Sequence, residues 1–301
     1  MTQAHPLSPS PSSAPARASE ASRTGLRIEP ASGATGADVH GIDIAHLSDA
    51  EFETLYAAWL EHHVLFFRDQ HVSPADQTAF AARFGELDVY PFMEPLPGHP
   101  HVIPIIKEKT TRYNFGGGWH TDMSYVERPP KATFLYAIDV PARGGDTLFA
   151  NMEAAYAALS PGMQQMLASL RAVFSAAKVH GQSGYYQRAD HPMDMRKNET
   201  QEQARFVHPV VRTHPETGRK SLYLDAPHVE RFENMRVAES EPLIQYLCQH
   251  ATQPQFTTRL RWTPGTLAVW DNRCLQHYAL NDYQGQRREM NRVVVRGDAP
   301  R

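Results

Sequence analysis

The sequence predicts a mainly β protein with inserted helices, of the antiparallel sandwich or jelly-roll class. Short alternating or continuous apolar runs recur along the chain, bounded by glycine and proline as strands are. Helical-period segments fall between some of these runs without the regular strand–helix–strand alternation of a parallel sheet. No internal repeat is visible.

In chain order, residues 26–30 alternate as a strand and lead into a connection through Gly33 and Gly36. Residues 37–44 alternate again. Ser48 fits a helix N-cap, with Glu51 completing a capping box, and Phe52, Leu55, Tyr56 and Trp59 follow at helical spacing. Residues 64–67, Val-Leu-Phe-Phe, read as a buried strand. Ser73-Pro74 opens a second helix that carries Phe80 and Phe84 on one side and stops at Gly85. Residues 88–118 are irregular and rich in proline and glycine, where either a site-lining loop or a plain surface connection fits.

Residues 132–140 form a strand, Arg143-Gly144-Gly145-Asp146 a turn, and residues 147–149 a further strand. Helices are expected over 152–159 and 161–170. The polar stretch 181–203 is a lid or a disordered insert. Residues 206–213 and 220–224 flank a turn at 214–218 and make a hairpin. A helix over 238–250 precedes strands at 256–262, 267–270 and 291–295, the first two separated by Pro264-Gly265.

The 301 residues, 41% of them hydrophobic, suffice for a sizeable core. The expected organisation is a disordered tail over 1–24, rich in Pro, Ser and Ala, and a single domain over 25–301. The tail lacks the apolar segment of a secretory signal. A net charge of −3 with scattered basic residues gives no footprint for nucleic acid or an anionic membrane. No apolar run approaches the roughly 20 residues of a membrane span. Cys248 and Cys274, with no CxxC, support neither a disulfide framework nor a zinc site, and a reducing, cytoplasmic setting fits best.

The most informative stretch is Trp119-His120-Thr121-Asp122, after Gly116-Gly117-Gly118. In an extended segment His120 and Asp122 project from one face and can converge on a metal. Two histidines and a carboxylate on one face of Fe(II) leave the opposite positions open for a co-substrate and oxygen. His-x-Asp alone is a weak signal. A second anchor is Trp270-Asp271-Asn272-Arg273, with His277 placed after a short apolar strand and a turn. Arg288 and Arg292, on one face of a strand, either grip a carboxylate or other oxyanion or line a solvated face with Glu289 or Asp282. The additional histidines His62, His63, His99 and His101 have no ligand spacing and are expected to be exposed.

Over residues 26–297 the chain resembles the taurine dioxygenase (TauD/TfdA) family of Fe(II)- and 2-oxoglutarate-dependent oxygenases. The resemblance rests on Phe84-Gly85-Glu86-Leu87, Trp119-His120-Thr121-Asp122, Gly144-Gly145-Asp146-Thr147, the run His208–Pro215, Trp270-Asp271-Asn272-Arg273 and Gln286-Arg287-Arg288. It implies a double-stranded β-helix core, a jelly roll, with the metal inside. It further implies His120, Asp122 and His277 as iron ligands, Arg288 and the Thr147 hydroxyl as holders of the distal carboxylate of 2-oxoglutarate, and Arg292 as anchor of an anionic primary substrate. The implied reaction consumes O2, releases succinate and CO2, and hydroxylates a substrate carbon. Related halogenases lack the carboxylate of the metal motif, so Asp122 argues for hydroxylation.

The substrate-facing positions depart from the taurine enzyme. Tyr90 stands where a histidine would contact sulfonate, Met93 where a tyrosine would be, His228 at a position usually aromatic and apolar, and Val179-His180 replace another polar–aromatic pair. The expected substrate is a small-molecule organic anion larger than taurine: a sulfonate, sulfate ester or carboxylate. The alternatives are a metal-dependent hydrolase or lyase, or a catalytically silent binding module, on the same frame. The first would need a general base that the sequence does not supply. The second should show a broken triad, and none is broken. A homo-oligomer is the family default.

Overall fold

The computed structural model describes residues 25–181, 184–187 and 196–301. The tail over 1–24 and part of the stretch expected as a lid or disordered insert, residues 182–183 and 188–195, lie outside the described residues.

Strands β1 (Arg27–Pro30) and β2 (Ala37–His40) open the chain. The second stops at Gly41 (φ 77°), short of the expected residue 44. Helix α1 (Asp49–His62) starts on the expected box: the Ser48 hydroxyl takes the Glu51 amide, and Glu51 returns to the Ser48 amide. It leads into β3 (Val64–Phe67), which pairs parallel with β2. The chain therefore contains one strand–helix–strand crossover that the pattern of the sequence did not suggest.

Helix α2 (Pro74–Ala82) is boxed by Ser73 and Asp76. Phe84 lies just beyond it and makes edge contacts with Phe52, Trp59, Phe80 and Phe134, knitting both helices onto the sheet. Burying each such ring contributes about 1.5–3 kcal/mol. Gly85 (φ 148°) is required where the chain passes Val295.

The irregular stretch hides a strand, β4 (Ile103–Lys107). Pro104 masks it, but β4 is the last strand of its sheet, and an edge strand tolerates a missing amide. Strands β5 (Ala132–Asp139) and β6 (Thr147–Asn151) match expectation, as do helices α3 (Met152–Ala157) and α4 (Pro161–Leu167). Strand β7 (Arg171–Ser175) and helices α5 (Ala177–His180) and α6 (Glu199–Gln203) follow.

The run expected as one strand over 206–213 divides at Val210. Its first part, β8 (Arg205–Pro209), pairs with β7, and its second, β9 (Val211–Thr213), pairs with β10 (Lys220–Leu222). The remainder is β11 (Val229–Phe232), α7 (Val237–Ala251), β12 (Thr257–Leu260), β13 (Leu267–Asp271), β14 (Leu275–Ala279) and β15 (Arg288–Val295).

These strands form a jelly-roll core. The major sheet runs β1-β2-β3-β13-β5-β15-β4 and the facing minor sheet β12-β6-β14. One apolar core fills the space between them and extends under β7 and α7; a second lies under α1 and α2. Among the described residues, no helix is long and apolar enough to cross a membrane.

Candidate active site

The His120-Thr121-Asp122 stretch is docked onto the minor sheet. His120 and His277 exchange backbone hydrogen bonds of 3.1 and 2.9 Å, so an isolated bridge aligns two histidines far apart in sequence. His277 stands within β14, which follows the apolar strand β13 and the turn at 272–274, as expected. Gly116 (φ 74°) passes so close that a Cβ there would meet His120 Cε1 at 3.1 Å. The glycine run thus gives the loop both its turn and its approach.

The His120 Nδ1 lies 2.7 Å from the Gly118 carbonyl, so the tautomer that donates this bond leaves Nε2 a ligand lone pair. His120 Nε2 and His277 Nε2 lie 3.8 and 3.9 Å from Asp122 Oδ1. The three ligand atoms fall within 4.8 Å of one another, a donor set suited to a divalent ion with open positions. Burial pushes His120 down, and burial with repulsion from His120 takes His277 down to about 3, so both rings are neutral donors at neutral pH. Burial alone would raise the Asp122 carboxyl, but Arg292 and the two histidines hold it well below the usual range.

Only one oxygen of Asp122 faces the cluster. Its Oδ2 accepts from the Thr133 hydroxyl at 2.7 Å, which in turn accepts from Asn272 Nδ2 at 2.8 Å, while Trp270 Nε1 donates to Asn272 Oδ1 at 3.0 Å. All these residues are buried. Thr133→Val should therefore weaken Mn(II) binding about ten- to hundredfold in a calorimetric titration, with Thr133→Ser close to wild type. Equal affinity in the valine variant would show that the tether does not position the carboxylate.

An inner chamber of about 30 Å³ adjoins the cluster and is lined by Thr147, Leu135, Trp270, Arg288 and Arg292. The arginines are 6% and 4% exposed, which rules out the solvated face. It is Arg287 that lies on the surface, paired with Glu289 and Glu108. Nε and Nη2 of Arg288 have no hydrogen-bond partner, nor have the two Nη atoms of Arg292. Arg292 Nη2 lies 2.9 Å from Asp122 Oδ1, off the line of a hydrogen bond. Thr147 Oγ1 accepts from Trp262 Nε1 at 2.9 Å, which leaves its own proton for an anion.

Outside the chamber is a cavity of about 260 Å³ lined by Tyr90, Phe115, Tyr125, Lys178, His180, Tyr186 and His228, among others. Tyr90 is buried, with Arg292 at 5.0 Å over its ring and its hydroxyl 3.4 Å from His180 Nε2. His228 Nδ1 lies 2.8 Å from Asp225 Oδ1, and Ser124 donates to the other Asp225 oxygen at 2.7 Å. Burial and His228 take His180 down to about 3, so it is neutral, and it stacks on Phe92 with centroids 4.0 Å apart. Met93 is not brought to this cavity. It packs half-buried against the core, while its neighbour Phe92 turns inward. Of the additional histidines, His63 is buried, bonded to Thr35 and Glu153, contrary to expectation. It caps α1 at φ 67°, and residues remote in sequence enclose it. Thr133, Tyr125 and Lys178 escaped notice in the sequence, where nothing local marks them.

The model of the taurine catabolism dioxygenase TauD, TfdA family matches residues 27–294. An alpha-ketoglutarate-dependent sulfate ester dioxygenase of Pseudomonas putida is 34% identical over 91% of this chain and 91% of its own. An (S)-phenoxypropionate/alpha-ketoglutarate-dioxygenase of Sphingobium herbicidovorans is 34% identical over 90% of this chain and 95% of its own. The crystal structure of a taurine dioxygenase from Burkholderia xenovorans superposes with a TM-score of 0.77 at 32% identity, covering 91% of this chain and 92% of that one. With the jelly roll, the His-x-Asp…His cluster and a match over nearly its whole described length, the chain belongs to the TauD, TfdA family of dioxygenases.

Proposed function

We propose that this protein is an Fe(II)- and 2-oxoglutarate-dependent dioxygenase that hydroxylates an organic anion larger than taurine. The observation that carries the reading is the cluster of His120, Asp122 and His277 beside a chamber with two buried arginines, each with guanidinium nitrogens that have no hydrogen-bond partner. When bound, Fe(II) supplies the redox chemistry by which O2 is consumed, one oxygen entering succinate as 2-oxoglutarate loses CO2 and the other entering the substrate C–H bond.

The chain's own residues bind and orient. Arg288 and Thr147 hold the distal carboxylate of 2-oxoglutarate. Arg292 holds the anionic head of the substrate, and its planar fork suits sulfate or carboxylate oxygens. The aromatic wall of Tyr90, Phe115, Tyr125 and Tyr186 receives the apolar body and excludes water. His228, braced by Asp225, adds a polar contact. A hydrolase would have no use for two buried cations in one chamber.

The relatives that act on a sulfate ester and on phenoxypropionate support a substrate with an anionic head and an apolar body. The test is succinate release with Fe(II), ascorbate, 2-oxoglutarate and O2 against taurine, longer sulfonates, alkyl sulfates and aryloxyalkanoates. Stimulation by an anion with a larger apolar body, and not by taurine, is the expected result. Taurine as the best substrate would overturn the size argument. No release from folded, iron-loaded protein would overturn the reading itself.

A further inference from the structure

Lys107 lies at the end of β4, the strand that the sequence pattern conceals. In the antiparallel register of β4 and β15 it is the direct partner of Arg288. Directly opposed residues send their side chains to one face of a sheet, and opposed like charges are destabilising. Here both are also buried, at 4% and 6% exposure. Among the described residues, neither forms an ion pair, and Lys107 Nζ has no hydrogen-bond partner, as Nε and Nη2 of Arg288 have none. The Lys107 ammonium rests 4.2 Å over the Tyr283 ring, which holds its position without neutralising it.

The two cations line one small cavity of about 10 Å³, closed by Tyr113, Asn114, Phe115 and Tyr283. Arg288 also lines the inner chamber that holds Thr147 and the metal ligands, so it stands between the two spaces. Burial lowers the pKa of both cations, Tyr283 and the Asp146 carboxylate oppose this only for Arg288, and among the described residues no carboxylate forms an ion pair with either. Two buried cations with unpaired donors are costly unless a counter-charge arrives.

We propose that Lys107 is a second cationic contact for the distal carboxylate of 2-oxoglutarate, reaching it beside Arg288. The proposal rests on the co-substrate assignment made above. Arg288 engages the carboxylate through its planar fork, and Lys107 adds a point charge to a remaining lone pair. The arrangement favours a dianionic 2-oxoacid over one without a distal carboxylate.

The test is calorimetric binding of 2-oxoglutarate and of 2-oxopentanoate, which lacks the distal carboxylate, to the Mn(II)-loaded protein without O2. Lys107→Met keeps the length and removes the charge. It should weaken 2-oxoglutarate binding about ten- to hundredfold, the effect of one lost charge-assisted hydrogen bond, and leave 2-oxopentanoate unchanged. The metal-free variant should also melt at a higher temperature than the wild type, because the opposed charge is gone. Unchanged 2-oxoglutarate affinity in Lys107→Met would overturn the proposal, as would equal weakening of both ligands. Arg288→Met separates the two levels of the argument. If it too binds 2-oxoglutarate normally, the co-substrate assignment fails; if it loses binding while Lys107→Met keeps it, only the role of Lys107 fails.

Discussion

Asp122→Ala is expected to lower 2-oxoglutarate turnover at least about a thousandfold, beyond the ten- to hundredfold loss typical of an outer support of a metal ligand. The carboxylate is the only anion of the cluster. Without it, two neutral imidazoles and the Arg292 guanidinium, now 2.9 Å from the vacated oxygen position, would face a divalent cation. Mn(II) binding should fall together with succinate release. A variant that kept full iron-dependent turnover would show the site to be misassigned. Thr133 sharpens the contrast, because it touches only the outer oxygen and its loss should affect affinity more mildly.

Arg292→Ala has the second largest expected effect and a different signature. Substrate-stimulated succinate release should be lost, with the apparent KM for the anion raised about ten- to hundredfold, as for a lost charge-assisted contact of 1.5–3 kcal/mol. Binding of 2-oxoglutarate should survive, because Arg288 and Thr147 are separate residues on β15 and β6. The opposite pattern, weakened 2-oxoglutarate binding with intact stimulation, would exchange the roles of the two arginines. Arg292 is also the largest influence opposing the effect of burial on Asp122, so its loss should raise the carboxyl pKa. Arg292→Lys keeps the charge without the fork. It should retain metal binding and lose most of the substrate contact.

Much of the architecture was legible in the sequence for local reasons. Ser48 with Glu51 marks a helix start because the bonds of a capping box span three residues. Ser73-Pro74 does the same for α2, although the returning carboxylate is that of Asp76. The apolar run Val64–Phe67 is buried on both sides, as its composition requires. His120 and Asp122 fall in one cluster because a single residue separates them, and Arg288 and Arg292 share a face because they lie four apart on one strand.

What failed to show in the sequence depended on neighbours supplied from elsewhere. Pro104 argues against a strand until β4 is known to be an edge. His63 looks like a surface residue until Thr35, Glu153 and Arg219 enclose it. Met93 and Phe92 differ by one position, and only the fold of the loop decides which is buried behind His180 of the cavity wall.

By itself, then, the sequence indicated the class of fold, most helix starts and the pairing of His120 with Asp122 from spacing within a few residues, while His277 and the roles expected of Arg288 and Arg292 came from the family resemblance. Tertiary structure alone decided that His277 bridges to His120, that Thr133 restrains one oxygen of Asp122, and that Lys107 faces Arg288. Those relations are matters of strand order and register, set by the packing of the two sheets as a whole, and no short stretch of chain contains them.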